Sequence, residues 1–342
     1  MTNERADVSL TLVEIHAEMF DREEDKAMSM NLVTETYAAL SVPRNIGGKL
    51  DAYSFRREIE FLLEQGIRGV VINGATGEYC LTTSEDLCRM LAIAQETTAG
   101  RVDYFCGIGS AAVQGCIEKG RIAVQGGAKC LLLPAPHYFP YEQDDLDAFC
   151  RKVAESVSLP ILLYNLPQFT NNTFQPATAV NLINDVPNIV GMKDSSGSLE
   201  VLRAMTCAGI GNRIVGNDSV LAQALREGVC DGVISGVACA APELPIALFG
   251  QRNDPESPEF NEAANALAEF IEHLNEHPVP WGLKWIQESR GILPATFSQP
   301  LSKRRIKLGH DFQAWFQCWR ASVGIGPVHC GDRSVAMAQE QK

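Results

Sequence analysis

The amino-acid sequence predicts an α/β fold: a (β/α)8 TIM barrel with a C-terminal helical extension. Three observations carry this prediction. Eight short apolar runs recur between residues 36 and 236, amphipathic stretches with helical spacing separate them, and strand signals stop after about residue 255. The runs read TYAALSV, GVVIN, VDYFCGI, KCLLLPA, PILLYN, NIVGMK, RIVGN and DGVISG. They are rich in branched residues and poor in polar alternation, as expected of parallel strands covered on both faces.

The segments between the runs justify the helices. Phe55, Ile59, Leu62 and Leu63 share one helical face. Leu87, Met90, Leu91 and Ala94 form the next stripe, preceded by a capping signal, Thr82-x-x-Glu85. Leu146, Phe149, Val153 and Val157 line another. A doubly wound sheet is the competing architecture, but it has fewer strands and usually a glycine fingerprint after the first. "GIGSAA" at 107–112 lacks the third glycine of a dinucleotide site. Beyond residue 255, Phe260, Ala264, Leu267, Ile271 and Leu274 give one stripe, and Phe312, Trp315, Phe316 and Trp319 another. The chain therefore divides into an N-terminal arm (1–34), a barrel (35–255), a helical region (256–322) and a tail (323–342).

Composition bounds the function. The 342 residues are 46% hydrophobic and 21% charged, ordinary for a soluble globular chain. A formal net charge of −13 argues against a general binder of nucleic acid or anionic membrane. No apolar segment approaches the length of a membrane span. The eleven cysteines are scattered, odd in number and without C-x-x-C, and Cys106, Cys130 and Cys150 sit in apolar stretches. The N-terminal MTNERADVSL carries acids and no long apolar run, unlike a secretory leader. Free thiols in a reducing cytoplasm are the expectation.

In such a barrel the C-terminal ends of the strands build the active site and the opposite end serves stability. That rule sorts the lysines. Lys129 precedes its run and belongs to the stability end, whereas Lys193 follows NIVGM and belongs to the mouth. A lysine held in a semi-apolar pocket loses its proton readily and attacks carbonyls, giving a Schiff base. Tyr164 ends the preceding strand, and a phenol beside an amine can shuttle the protons that imine formation requires. Alone, Tyr164 would read as a core tyrosine.

The loop NGATGEY after the second strand brings backbone N–H groups together at Ala75, Thr76 and Gly77, with the Thr76 hydroxyl beside them, an arrangement suited to a small carboxylate. His137 and Tyr138 follow the fourth strand. Asn217 and Asp218 follow the seventh, and Ile234 and Ser235 end the eighth. Each is a common residue at a loop start; convergence is what gives them weight. HLNEH at 273–277 has the spacing of an inverted zinc-protease motif, but it ends a surface-type helix before Pro278 with no third ligand in view. No metal site is expected. NNT and NDS are glycosylation sequons without relevance inside a cell.

Three motifs in order, GATGEY, YNLPQFT and GMKDSSG, resemble the G-[TS]-T-G-E, Y-N-x-P-x-x-T and G-x-K-[DE]-x-[ST]-[GS] motifs of the dihydrodipicolinate synthase/N-acetylneuraminate lyase family. GNDS and GVISG match later family segments, so the resemblance runs from about residue 35 to about 320. It implies a homotetramer, a dimer of dimers, with a class I, metal-independent mechanism and no cofactor. It implies Lys193 as the Schiff-base lysine, Tyr164 as the proton shuttle, and Thr76 with its neighbouring N–H groups as holder of a 2-oxo acid carboxylate. Tyr138 matches the tyrosine that reaches a neighbouring subunit's site in the synthases.

Two positions depart from the family pattern. Ala75 stands where the synthases carry threonine or serine, and it cannot pass a proton. Phe169 stands where they carry the arginine that pairs with the carboxylate of aspartate semialdehyde. Losing a bidentate charge-assisted contact costs on the order of a few kcal/mol, so Phe169 favours an aldehyde that is apolar or uncharged there. The expected activity is a Schiff-base aldolase or lyase acting on pyruvate or a related 2-oxo acid with an aldehyde partner. A dihydrodipicolinate synthase, a 2-oxo-3-deoxy sugar acid dehydratase and a non-catalytic 2-oxo acid binder are the alternatives.

Overall fold

Strand pairing and helix placement follow from a computed structural model that describes residues 32–45 and 47–326. Eight parallel strands close into a barrel in sequence order. They are β1 Thr36–Ala39, β2 Gly69–Ile72, β3 Asp103–Gly107, β4 Cys130–Pro134, β5 Ile161–Asn165, β6 Ile189–Asp194, β7 Asn212–Val215 and β8 Gly232–Ser235. β1 pairs with both β2 and β8, so no sheet edge is left open.

Alternation along each strand sends side chains to two cores. Cys130 and Leu132 point into the barrel, while Leu131 and Leu133 face the helices. Leu162 and Tyr164 point inward on β5, with Leu163 outward. This is why the runs read as continuously apolar: both faces of every strand are covered. Val33 closes the N-terminal end of the interior. Residues 1–31 of the sequence-predicted arm and residues 327–342 of the tail lie outside the described residues.

Around the barrel run α1 Ala52–Glu64, α2 Ser84–Thr98, α3 Val113–Gln125, α4 Gln143–Ala154, the single turn α5 Pro167–Thr170, α6 Pro176–Asp185, α7 Glu200–Ala208, α8 Leu221–Arg226 and α9 Glu243–Gly250. The stripes at Phe55–Ile59–Leu62 and Leu87–Met90–Leu91–Ala94 are buried against the strands. The capping residue of α2 lies one position later than the motif suggested. Thr83, not Thr82, accepts the Asp86 N–H at 3.1 Å, because Thr82 itself is buried in the turn that precedes the helix.

Three further helices, α10 Pro258–Leu274, α11 Trp281–Ser289 and α12 Lys303–Trp319, form the C-terminal part. Phe270 stands among Phe312, Trp315, Phe316 and Trp319, with ring centroids 5.8–6.5 Å apart, a spacing at which aromatic pairs attract. The two histidines of HLNEH stack there too, His273 on Trp315 at 3.8 Å and His277 on Phe312 at 5.2 Å. Among the described residues no three His, Cys, Asp or Glu side chains are grouped to hold a metal. No helix among them is long and apolar enough to cross a membrane.

Candidate active site

Lys193 reaches the barrel interior through an irregularity in β6. Ile189 pairs with Ile161, but Gly191 pairs with Leu162, so β6 carries one extra residue against β5. Strict alternation from the outward-facing Ile189 would have sent Lys193 outward as well. The extra residue reverses the parity, and Lys193 pairs with the inward-facing Tyr164. Asn212 holds the irregular segment by donating from Nδ2 to the Val190 carbonyl at 2.9 Å.

The amine stands 4.3 Å from the centre of the Tyr164 ring and is 2% exposed. Its stem crosses Gly216, where a Cβ would lie 2.6 Å from Lys193 Cε and 2.2 Å from Ser195 Oγ. Only glycine leaves room for both side chains. Burial lowers the Lys193 pKa from its ordinary 10.5 to about 7, although the nearby Asp218 carboxylate pulls the other way. Burial likewise pushes the Tyr164 phenol up to about 12, so it holds its proton at neutral pH.

Across the mouth, the loop after β2 turns tightly. Gly77 N–H donates to Gly74 O at 3.1 Å, Glu78 N–H to Ala75 O at 2.9 Å and Tyr79 N–H to Gly74 O at 3.3 Å. The N–H groups of Ala75 and Thr76 have no such acceptor among the described residues. With the buried Thr76 hydroxyl they form a donor set for an anion. Asn73 anchors the turn in a left-handed conformation (φ 61°), its Nδ2 donating to Gly107 O at 2.6 Å.

A cavity of about 290 Å³ joins these groups. Ala75, Thr76, Tyr164, Phe169, Lys193, Asn217 and Asp218, all candidates from the sequence, line it. Asn217 caps its own turn, its Oδ1 accepting from Ser219 N at 3.1 Å and Ser219 Oγ at 2.8 Å. Phe169 is half exposed at the outer rim.

Five sequence candidates, Gly77, His137, Tyr138, Ile234 and Ser235, lie outside the lining. Gly77 spends its N–H inside the turn and faces the Leu40 carbonyl. Ile234 is buried among the barrel-interior side chains below the mouth. Tyr138 is 78% exposed with a left-handed backbone (φ 91°), its ring edge-on to Phe139 at 4.7 Å.

Other lining residues carried no signal. Ile271 and Leu274 of α10, Val279 in the turn beyond it and Leu283 of α11 form an apolar roof. In sequence their spacing reads simply as core. Ser195 follows the lysine motif, and its buried hydroxyl lies beside the Tyr164 phenol, to which it is hydrogen-bonded. Asp218 Oδ2 accepts from Val237 N at 3.3 Å, and the Ser235 hydroxyl also bonds the Asp218 carboxyl group. Burial raises the Asp218 pKa. Among the described residues, Lys193 is the one basic side chain in the lining.

Comparison with known proteins follows the same lines. The family described as "Dihydrodipicolinate synthetase family" matches residues 33–313. A 4-hydroxy-tetrahydrodipicolinate synthase from Stenotrophomonas maltophilia is 36% identical over 280 residues, 80% of this chain and 87% of that protein. The enzyme of that name from Methylococcus capsulatus is 32% identical over 282 residues, 79% of this chain and 93% of the relative. The solved structure of the Methylacidiphilum fumariolicum SolV synthase superposes with a TM-score of 0.79 at 25% identity, covering 85% of this chain and 98% of that one. This chain is therefore a member of the dihydrodipicolinate synthetase family of aldolase-type lyases.

Proposed function

We propose that the protein is a class I aldolase or lyase that forms a Schiff base between Lys193 and pyruvate or a related 2-oxo acid. The observation that carries this reading is a buried amine with a pKa of about 7 directly beside a protonated phenol. Roughly half of such amines are neutral near pH 7, where an ordinary lysine is almost wholly charged.

The carboxylate docks on the Ala75 and Thr76 N–H groups and the Thr76 hydroxyl, which presents the keto carbon to Nζ. Attack forms the N–C bond, and the carbonyl oxygen takes the Tyr164 proton. Nζ releases a proton, Tyr164 is reprotonated and protonates the carbinolamine hydroxyl, which leaves as water as the C–O bond breaks, and an iminium remains. The iminium withdraws electrons from C3, so a C3–C4 bond can break to an enamine, or the enamine can add to an aldehyde. The imine itself is the electron sink, so the scheme uses no metal or other cofactor.

The far end of the cavity sets the partner. Phe169 and the roof of Ile271, Leu274, Val279 and Leu283 are apolar, while the Ser195 hydroxyl and the Asp218 carboxyl group are the polar groups beside Lys193 in the lining. That combination favours an uncharged substrate carrying a hydroxyl near the new bond. A second reading, 4-hydroxy-tetrahydrodipicolinate synthesis, is favoured by the names of the relatives. It needs a cation for the carboxylate of aspartate semialdehyde, and among the described residues the lining supplies none besides Lys193.

The exposed Tyr138–Phe139 pair supports a homotetramer in which Tyr138 meets a neighbouring copy. Buried free thiols such as Cys106, Cys130 and Cys150 suit a reducing cytoplasm.

Borohydride reduction with pyruvate, followed by intact mass and peptide mapping, tests the chemistry. A reduced pyruvyl adduct on Lys193, missing in Lys193→Ala, is the expected result. The same trap with a panel of longer 2-oxo acids separates a different acid from no chemistry at all, and silence across the panel overturns the reading.

A further inference from the structure

Tyr164 gives up a proton in each imine-forming cycle and must recover it, yet it is 3% exposed, Ala75 in the same lining carries no hydroxyl, and the Ser195 hydroxyl bonded to it is itself buried. A second phenol lies in the interior nearby. Tyr79, 6% exposed, ends the carboxylate loop and belongs to the same interior group of side chains as Tyr164, with Ala75 packed against that group.

Contacts on three sides locate the Tyr79 ring. A Cβ on Gly109 would lie 2.6 Å from both Tyr79 Cε2 and Pro134 Cγ, so the ring passes against Gly109 beside Pro134. Pro134 is the residue of β4 that pairs with Tyr164 on β5. On its other side Tyr79 meets His137 edge-on, with ring centroids 5.8 Å apart. His137 is partly exposed and its Nδ1 is buried without a hydrogen-bond partner among the described residues. The Tyr79 ring thus lies between the catalytic strand pair and a group that reaches the surface. Tyr79 is absent from the cavity lining, so it does not face the substrate, and it shares the interior group of side chains with Tyr164.

We propose that Tyr79 is a positioning residue that returns protons to Tyr164, taking over from within the same loop the hydroxyl function that Ala75 lacks. The proposal rests on the Schiff-base reading of Lys193. In the forward direction the carbonyl oxygen takes the Tyr164 proton, Tyr164 takes one from Tyr79, and Tyr79 is replenished from the His137 side. The proton released by Nζ leaves along the same path, and the departing hydroxyl takes the next one to become water. Overall a ketone, a neutral amine and one proton give an iminium and water. Burial, and secondarily the neighbouring Tyr164 phenol, hold Tyr79 well above the ordinary tyrosine range, so it is a phenol and not a phenolate at working pH.

Tyr79→Phe removes the oxygen and keeps the ring that packs on Gly109 and His137. Rapid-quench borohydride trapping should show imine formation slowed about tenfold to a hundredfold, with the apparent affinity for the 2-oxo acid unchanged. Adding Ala75→Thr in the Tyr79→Phe background should recover most of the rate. Trapping at the parent rate overturns the proposal. So does slowing that comes with lost acid affinity or a lowered Tm, or that Ala75→Thr does not rescue, because those are packing effects. If the parent protein itself gives no adduct with any acid of the panel, the Schiff-base reading has failed instead.

Discussion

Lys284 on α11 and Glu78 in the carboxylate loop form a buried ion pair, Nζ to Oε2 2.5 Å, across 206 residues of chain. Ser298 Oγ donates to the other carboxylate oxygen, Oε1, at 2.7 Å. Glu78 has a left-handed backbone (φ 53°) three residues after Ala75. The C-terminal helices therefore clamp the loop that offers the Ala75 and Thr76 N–H groups. The adjacent Leu283 completes the roof of the cavity.

Breaking one side of a buried pair leaves an uncompensated charge, which typically costs about 3–5 kcal/mol. Lys284→Met should accordingly lower the Tm and weaken 2-oxo acid binding together. The double variant with Glu78→Gln should recover much of the Tm. Calorimetry on the three proteins decides it, and a single variant that melts with the parent would show that the clamp carries no load.

The lowered pKa of Lys193 has a consequence for stability. The unfolded lysine keeps its proton up to pH 10.5, whereas the folded one loses it near pH 7. Between those values the unfolded state binds more protons, so the Lys193 contribution improves as pH rises and is least favourable below pH 7. Lys193→Met should thus stabilise the protein, by on the order of 1–3 kcal/mol at pH 6 and by less at pH 9. Denaturant melts at the two pH values test the sign; equal effects at both would mean that the amine is not depressed.

Imine formation should follow the same titration. Its rate in the parent should climb as pH passes through about 7 and level off well below pH 10. A profile still rising steeply at pH 9 would place the amine in the ordinary range.

Gly216→Ala introduces a Cβ 2.6 Å from Lys193 Cε. The lysine must move, and displacement of a nucleophile by about an ångström typically costs around a hundredfold in rate. Adduct yield per minute is the readout, with circular dichroism to show that the barrel persists. Unimpaired trapping would mean that the stem has slack.

Phe169→Arg places a cation at the outer rim of a lining that otherwise has only Lys193. Turnover with aspartate semialdehyde relative to uncharged aldehydes should rise about a hundredfold. No change in the ratio would remove Phe169 from the determinants of partner choice.

Much of this architecture was legible in the chain. Runs such as KCLLLPA and PILLYN mark strands covered on both faces, and stripes such as Leu87–Met90–Leu91–Ala94 mark the helices outside them. Polar residues directly after the runs then marked the mouth, and with it Lys193, Tyr164 and Thr76. The cap of α2 was misplaced by one residue because Thr82, Thr83 and Ser84 are all capable hydroxyls, and only burial of the first distinguishes them. Ile234 and Gly77 follow the same positional rule as Asn217, yet the depth of one and the turn hydrogen bond of the other keep them out of the cavity.

The sequence by itself determined the barrel, the order of its strands and the position of Lys193 at the mouth, because two-sided burial and strand ends are local properties of the chain. The direction in which Lys193 points was decided in three dimensions. A single extra residue in β6 turns the lysine inward beside Tyr164, and which residue is extra depends on pairing with β5 and on Asn212 holding the Val190 carbonyl. The roof over the site was decided there as well. Ile271 and Leu283 read as ordinary core positions until contacts spanning some two hundred residues, such as Lys284 with Glu78, bring their helices across the barrel mouth.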